Sequence, residues 1–273
     1  MFTTAYLSQQ YEPPLVSSGA VCHLNAGDIL SYASLGQQLW KNLIASPADG
    51  AAQAAYDFVL GNTSSAEASD PAFNGVIGNE SKNEYFSFDG GQYFTLNGAM
   101  TTFLESLHKN NAAYTLLAWY ETPSVYDFYP TLFDNTTGGL STKGLRWYGG
   151  SSGATELRIA NGSAASLGKS AAVDSVTYPN VLMNAVALDE VVGANGLRFY
   201  SNDGTNERTS TEDSTYTAPS ALAADYKFQI GANGIGGDRL ANGHKMFEFM
   251  IYNRALTLSE LQQNYDARKF RYL

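Results

Sequence analysis

The sequence predicts an all-β protein built as an antiparallel sandwich, and three observations support this class. The chain contains 18 Tyr, 14 Phe and 26 Gly, a composition that favours short strands joined by tight turns. Short apolar or alternating runs recur along the chain between clusters of Gly, Asn and Asp. Hydrophobic residues make up 44% of 273 residues, which is enough for the core of one large β domain.

The elements follow in order along the chain. Residues 1–17 are predicted to form an extended N-terminal arm, because Pro13 and Pro14 exclude a helix, and we expect this arm to dock on its own domain or on a neighbour. Residues 18–273 are predicted to form one domain, with one or two helical turns after Asp49. The predicted strands cover residues 20–26, 85–96 as a hairpin around Asp89-Gly90-Gly91, 112–122, 131–139, 144–150, 155–162, 181–190, 196–204, 226–234 and 245–253.

The last predicted element is a short helix near the C-terminus. Thr257 and Glu260 have the spacing of a capping box, and Leu256 and Leu261 have the spacing of a hydrophobic staple. We expect this helix to pack against the edge of the sandwich.

Composition also excludes several classes of protein. A net charge of −10 repels phosphate backbones, so no nucleic-acid partner is expected. The start of the chain lacks the pattern of a secretory signal, and no apolar run is long enough for a membrane span, so no membrane partner is expected either. Cys22 is the only cysteine and lies in an apolar run, which indicates a buried small side chain rather than a reactive thiol.

Several segments together resemble the laminin-G-like, or concanavalin A-like, jelly-roll domains. The resemblance covers roughly residues 18–270, and its most specific part is the ending. It implies a jelly-roll sandwich similar to legume lectins, pentraxins and some glucanases, of a kind that also occurs in bacteriophage virion proteins. The segments that carry it are AVCHLNAGDILSY, YFSFDGGQYFTL, YTLLAWYE, NGLRFYSNDG and FMIYNRALTLSELQQNYDARKFRY.

The sequence does not predict an enzyme. Glucanases of this fold carry Glu-x-Asp-x-(x)-Glu on a strand, which sets the carboxylates on one face, and the chain lacks this motif. Asp189 and Glu190 are adjacent, so a strand would direct them to opposite faces, and Glu248 stands alone among apolar residues. Ser151 lies in a Gly-x-Ser-x-Gly pattern, but strand-like runs flank it, which favours a hairpin loop.

Two weak sets of candidate site residues remain. Loop oxygens can bind Ca²⁺ in lectin-like relatives, and the candidates are Asp89, Asp134, Asn135 and Asp203, although no loop has the twelve-residue calcium spacing and each of these residues also has a turn-forming explanation. No other cofactor is expected. Exposed aromatic rings beside polar groups can bind sugars, and Tyr126, Phe128 and Tyr129 are the candidates; the alternative is that these rings cover the sandwich edge or contact a neighbouring subunit.

We therefore expect a non-enzymatic structural or adhesion protein. The first hypothesis is a phage virion component in a capsid decoration, fibre or tail surface, made in the host cytoplasm. Its partners would be the major capsid protein or copies of itself, with surface glycans as further ligands. The second hypothesis is a stand-alone carbohydrate-binding, lectin-like module, and the third is a glycoside hydrolase of the same fold.

Overall fold

Two antiparallel sheets of eight strands each face one another, which confirms the predicted sandwich. The computed structural model describes residues 13–123, 130–149, 154–171 and 180–273, and these counts refer to those ranges. Sheet A runs in the order β14 (Glu207–Glu212), β13 (Leu197–Asn202), β12 (Asn180–Asp189), β7 (Ala113–Thr122), β16 (Lys245–Tyr252), β5 (Tyr85–Ser87) and β4 (Ala72–Asn74), and β1 (Ala20–Asn25) also pairs with β16.

Sheet B lies opposite sheet A. Its order is β11 (Ala165–Ala171), β10 (Thr155–Asn161), β9 (Lys143–Gly149), β8 (Thr131–Asp134), β15 (Gln229–Ile230), β6 (Phe94–Leu96), β3 (Phe58–Leu60) and β2 (Leu39–Trp40). The helices are α1 (Thr102–Ser106), α2 (Leu258–Asp266) and α3 (Lys269–Tyr272), with single 3₁₀ turns at Gln53–Tyr56 and Glu190–Val192. No helix in these described ranges is long and apolar enough to cross a membrane.

The main core lies between the two sheets. It is formed by the side chains that point inward as side chains alternate along each strand. Along β7, Leu116 and Ala118 direct their side chains into this core. Aromatic rings from the two sheets meet across it, as in the pair Trp147 and Phe249, whose ring centroids are 6.4 Å apart. Cys22 is fully buried in the same core, so the prediction of a buried small side chain is confirmed, and burial raises the pKa of its thiol.

A second core covers part of the outer face of sheet A, because the residues that alternate with the inner ones are also apolar there. Trp119 of β7 stacks on Tyr265 of α2 at 5.5 Å between ring centroids and contacts Tyr272 of α3 at 5.1 Å. Leu256 and Leu261 belong to this second core. The C-terminal helices therefore pack on a sheet face, and the expectation that they pack on the sandwich edge is wrong.

The start of α2 is as predicted. Thr257 accepts a hydrogen bond from the Glu260 N–H, and the Glu260 side chain accepts one from the Thr257 N–H, so the capping box is complete. Leu256 and Leu261 are both buried in the second core, where a hydrophobic staple would place them. Local sequence chemistry thus determines where this helix begins.

The predicted hairpin at residues 85–96 is wrong. Its first run forms β5 in sheet A and its second run forms β6 in sheet B, so the connection through Asp89 crosses between the sheets. Phe86 and Phe94 meet edge to face across the core, with ring centroids 5.0 Å apart. Two aromatic runs can bury their rings against each other across a sandwich as well as side by side in one sheet.

Other differences concern short elements. The Ala-rich run after Asp49 forms one 3₁₀ turn at Gln53–Tyr56 and then enters β3. Strands β11 and β14 have no counterpart among the predictions, although both pair along their length with a neighbouring strand. Their residues are small or polar because both strands lie at sheet edges, so the apolar signal that predicts a strand is weak.

The described end of the N-terminal arm lies against α2. The Val16 N–H donates to Oδ1 of Asn264 at 2.8 Å, and Nε2 of Gln263 donates to the Pro14 carbonyl at 2.8 Å. Val16 is also buried in the second core. Residues 13–16 thus dock on the protein's own domain, while residues 1–12 lie outside the described ranges.

Candidate functional site

A groove of about 700 Å³ lies on the part of sheet A's outer face that the C-terminal helices leave open. The floor comes from neighbouring strands, and the walls come from the segment before β5, the turn after β13 and the end of α3. The lining residues are Lys82, Asn83, Tyr85, Glu121, Asn180, Val181, Asp203, Gly204, Thr205, Lys245, Tyr272 and Leu273.

The floor continues the same outer-face rows that carry the second core. In β7, Trp119 lies under the helices and Glu121, two residues further on, lies in the groove. Val181 of β12 and Lys245 of β16 are the direct cross-strand partners of Glu121. In β7 and β16 a charged residue replaces an apolar one at the point where the covering helices end, while β12 keeps the apolar Val181.

An ion pair and an aromatic ring are held together on this floor. Nζ of Lys245 lies 2.9 Å from each carboxylate oxygen of Glu121. The same ammonium group lies 4.9 Å from the centroid of the half-buried Tyr85 ring, which packs edge-on against Phe247 at 6.0 Å. Each side chain is thus positioned by a neighbour before any ligand arrives.

The other lining groups are mostly neutral hydrogen-bonding groups. Asn83, Asn180 and Thr205 bring two amides and a hydroxyl to the walls, and Val181 adds an apolar surface. A ring face beside donors and acceptors of this kind can contact the C–H face and the hydroxyls of a sugar.

Asp203 lines the groove, but both of its carboxylate oxygens already accept hydrogen bonds, one from the turn after β13 and the other from Arg208. Oδ1 accepts from the N–H groups of Thr205 and Asn206 at 2.9 and 2.7 Å, and Oδ2 accepts from Arg208 at 3.2 Å. Burial opposes ionisation of this carboxyl, yet the backbone N–H groups and Arg208 outweigh that effect and lower the pKa of Asp203. The turn role that the sequence offered as the alternative to a metal site thus accounts for this residue.

Asp134 is the last residue of β8 in sheet B, Asn135 follows it directly, and the two have separate roles. Asp134 accepts from the Thr136 N–H at 2.5 Å and pairs with Nε of Arg146 at 3.2 Å. Burial raises the pKa of Asp134 to about 7, and the charge of Arg146 opposes this rise only in part. Asn135 accepts through Oδ1 from the Leu145 N–H at 2.8 Å. Both side chains are therefore used within the sheet.

Asp89 is exposed in the connection between the two sheets, where it accepts from the Gly91 N–H at 3.1 Å. The fold places Asp89 and Asp203 in connections that follow sheet A strands, and Asp134 and Asn135 at and just after the end of β8 in sheet B. Within the described ranges, no group of three or more His, Cys, Asp or Glu side chains is placed to hold a metal ion.

The aromatic candidates Tyr126, Phe128 and Tyr129 lie outside the described residues. The segment that contains them follows Pro123, which comes two residues after Glu121 of the groove floor. The predicted aromatic loop thus begins at the end of the strand that supplies the centre of the floor.

Sequence analysis missed the groove residues Tyr85, Glu121 and Lys245. Glu121 and Lys245 are charged residues at the ends of strands that are otherwise apolar, and this is the signal that could have drawn attention to them. Their meeting depends on the register between β7 and β16, which are more than 120 residues apart in the chain. Pattern analysis of single segments does not supply such a register.

Glu248, which the sequence shows as an isolated acid, is the fully buried centre of a second polar cluster. Nε of Arg268 donates to both oxygens of Glu248 at 3.1 and 3.2 Å, His23 contacts Oε1, and the Tyr272 hydroxyl donates to Oε2 at 3.2 Å. The cluster connects β1, β16 and α3, and Glu248 is 0% exposed, which leaves no access for a ligand. We therefore assign this cluster a structural role, in which it stabilises the fold.

Glu248 should make the stability of the protein depend on pH in the acid range. Burial would raise the pKa of this carboxyl, but the charges of Arg268 and His23 outweigh it and lower the pKa to about 2, from an ordinary 4.5. A lowered folded-state pKa gives stability that is present above pH 4.5 and is lost as the pH falls toward 2. At about 1.4 kcal/mol for each pH unit, roughly 3 kcal/mol is at stake.

Urea unfolding of the wild type and of Glu248→Gln between pH 2 and pH 7 measures this contribution. The stability difference between the two proteins should be largest near pH 6 and should shrink toward pH 2. A difference that stays constant across this range would show that Glu248 does not titrate as the cluster requires.

Comparison with known proteins identifies the family. The chain belongs to the concanavalin A-like lectin/glucanases superfamily, whose profile matches residues 88–262, well over half of the sequence. This membership confirms the predicted family, and the match takes in most of the segments that carry the resemblance, but not residues 20–32 or the residues after 262. The comparison with curated proteins found no match.

Solved structures with a similar fold include sialidases. The Trypanosoma rangeli sialidase in complex with sialic acid matches with a TM-score of 0.54 and 12% identity, over 96% of this chain and 36% of that one. Its covalent intermediate with 2,3-difluorosialic acid matches with a TM-score of 0.52 and 13% identity, over 94% and 34% of the two chains. The Ruminococcus gnavus IT-sialidase CBM40 gives 0.44 and 15%, over 65% and 94%.

At these identities the likeness to solved structures concerns the fold alone. The chain spans about a third of the length of the Trypanosoma rangeli sialidase structures that it matches.

Proposed function

We propose that the protein is a non-catalytic carbohydrate-binding module and that the groove on the outer face of sheet A holds the sugar. The observation that carries this proposal is the half-buried Tyr85 ring beside the Glu121–Lys245 ion pair in an open groove. Membership of a superfamily that contains lectins supports it.

The ion pair on the floor suits a neutral sugar, while the exposed Lys82 adds a cation to the wall. Glu121 and Lys245 neutralise one another, so the pair presents hydrogen-bonding groups with little net field. Ring C–H groups of a sugar could pack on Tyr85 while its hydroxyls bond to Asn83 and Asn180 on the walls. An open groove also suits a chain of several sugar units, because the ends of the chain can extend into solvent.

Binding without catalysis agrees with the carboxylates present. Retaining hydrolysis needs two carboxyl groups about 5 Å apart, of which one is protonated. Among the described groove residues the acids are Glu121, held by Lys245, and Asp203, held by its turn and by Arg208 with a lowered pKa. A reducing-sugar assay on a panel of β-glucans is expected to detect no activity, and measurable hydrolysis would contradict the proposal.

A glycan array tests the ligand class. The wild type is expected to bind at least one neutral oligosaccharide, and Tyr85→Ala is expected to lose that signal. Tyr126→Ala/Tyr129→Ala tests whether the aromatic loop after β7 contributes to the same site. Absence of binding by the wild type to every glycan, with and without Ca²⁺, would leave only a structural role.

We further propose a virion setting, as a decoration or tail-surface protein, for this module. The resemblance to phage jelly-roll proteins and the N-terminal arm support it. Because Val16 is buried in the second core, a truncation that tests the arm should remove residues 1–12 only. The truncated protein should fold normally and fail to assemble with its partner proteins, and normal incorporation into particles would contradict an assembly role.

A further inference from the structure

A second hollow, of about 280 Å³, lies at the edge of sheet B, on the other sheet from the groove. It is centred on β10 and β11, which pair antiparallel. Its lining residues are Leu140, Glu156, Leu157, Arg158, Ala165, Gly168 and Lys169.

Arg158 has an unusual electrostatic position in this hollow. Its direct cross-strand neighbour on β9 is Arg146, and like charges directly opposite each other destabilise a sheet. Arg146 is compensated by Asp134 and Asp238, each at 3.2 Å. The Arg158 side chain has no hydrogen bond or ion pair within the described part of the chain. The protein, whose net charge is −10, thus holds one guanidinium without an ion pair beside a second one.

Tyr148 orients this guanidinium and engages the nearest acid. The carbon of the Arg158 guanidinium lies 5.4 Å from the centroid of the Tyr148 ring, and that of Arg146 lies 4.3 Å from it. The Tyr148 hydroxyl donates to Glu156 at 2.5 Å, which holds that carboxylate against the ring, while Arg158 and Lys169 together outweigh its negative charge in the hollow. The N–H groups of Arg158 are therefore left for a partner from outside.

Gly168 provides the space beside Arg158. It is the cross-strand partner of Arg158 on β11, and its backbone does not have the positive φ that requires glycine. A Cβ atom at this position would meet only the Cβ of Ala165, at 4.0 Å. Packing therefore does not demand a glycine, and its effect is to keep the hollow open next to the guanidinium.

We propose that Arg158 and the hollow over Gly168 form a second binding site, which takes the carboxylate or sulfate group of an acidic sugar unit. The planar fork of Arg matches such a group with two parallel hydrogen bonds. Lys169 adds positive charge to the lining, while Leu140 and Ala165 offer apolar contact for a compact sugar ring. The volume suits one sugar unit better than a larger ligand. This site is separate from the proposed groove and does not depend on it.

Titration calorimetry at low ionic strength tests this site with oligogalacturonate as the carboxylate probe, dextran sulfate as the sulfate probe and dextran as the neutral control. The wild type should bind at least one anionic probe, with affinity that falls as salt is added, and should not bind dextran at this site. Arg158→Gln and Gly168→Leu should each weaken binding at least tenfold. The matched control is Arg198→Gln, because Arg198 is also a partly buried strand residue without a described side-chain partner but lies outside this hollow, and it should bind as the wild type does.

Thermal unfolding separates this role from a structural one. Arg158→Gln removes a like-charge pair, so its melting temperature should equal or exceed that of the wild type. A clear fall in melting temperature would make Arg158 a structural residue and overturn the proposal. Unchanged anion affinity in both hollow variants, failure of the wild type to bind either anionic probe, or equal binding of poly-glutamate would overturn it as well.

Discussion

Replacing Glu248 by Ala is expected to lower the free energy of unfolding by about 3–5 kcal/mol, because it removes the fully buried carboxylate of the ion pair with Arg268. The same change removes the acceptor for the Tyr272 hydroxyl and for His23. Since these partners come from β1 and α3, the loss should loosen the C-terminal helices from sheet A more than it disturbs the sandwich.

Urea unfolding near pH 7 gives the total effect, and amide hydrogen exchange in α2 shows where it acts. Glu260→Gln is the control, because Glu260 also pairs with an arginine, Arg254, but both side chains are partly exposed. This control should cost about 1 kcal/mol or less. Equal losses of unfolding free energy for Glu248→Ala and Glu260→Gln would show that the buried cluster stabilises the protein no more than a partly exposed ion pair does.

Trp119→Ala is expected to cost about 3–5 kcal/mol, the range for removing a large aromatic side chain from a core. Trp119 is fully buried between sheet A and the helices, where it contacts Tyr265 and Tyr272. Its removal would leave a cavity beneath α2 and α3, which Leu261 alone is too small to fill.

Calorimetric unfolding measures this cost. The control is Phe270→Ala, in helix α3, which is one of the two helices that cover Trp119. Phe270 is 45% exposed, so its removal should change stability by less than about 0.5 kcal/mol. If Trp119→Ala were as mild as Phe270→Ala, the helices would not form a second core on the sheet.

Local chemistry made parts of the fold predictable. The capping box of Thr257 and Glu260 involves residues three apart, so the sequence alone indicates where α2 begins. The partner of a strand depends on distant residues, and for this reason the two aromatic runs around Asp89 were wrongly assigned to one hairpin. The prediction that α2 packs on the sandwich edge was wrong for the same reason. Both faces of β7 are apolar, and the alternation along one strand does not show that helices cover its outer face.

The candidate site was harder to predict. Turn chemistry explains Asp89 and Asp203 in the structure, as the sequence allowed. The groove instead depends on Tyr85, Glu121 and Lys245, which are distant in sequence and meet through the pairing of β16 with β5 and β7. Each of them is unremarkable in its own segment. They form one surface because of the register between the strands and because the C-terminal helices do not cover this part of sheet A.

The most direct test of the proposed function is the affinity of the groove for a neutral oligosaccharide identified by the array. Titration calorimetry should show that Tyr85→Ala binds at least tenfold more weakly than the wild type, while its unfolding temperature changes little. Tyr226→Ala, at a partly buried tyrosine outside the groove, should bind as the wild type does. Equal affinity of Tyr85→Ala and the wild type would contradict sugar binding in this groove.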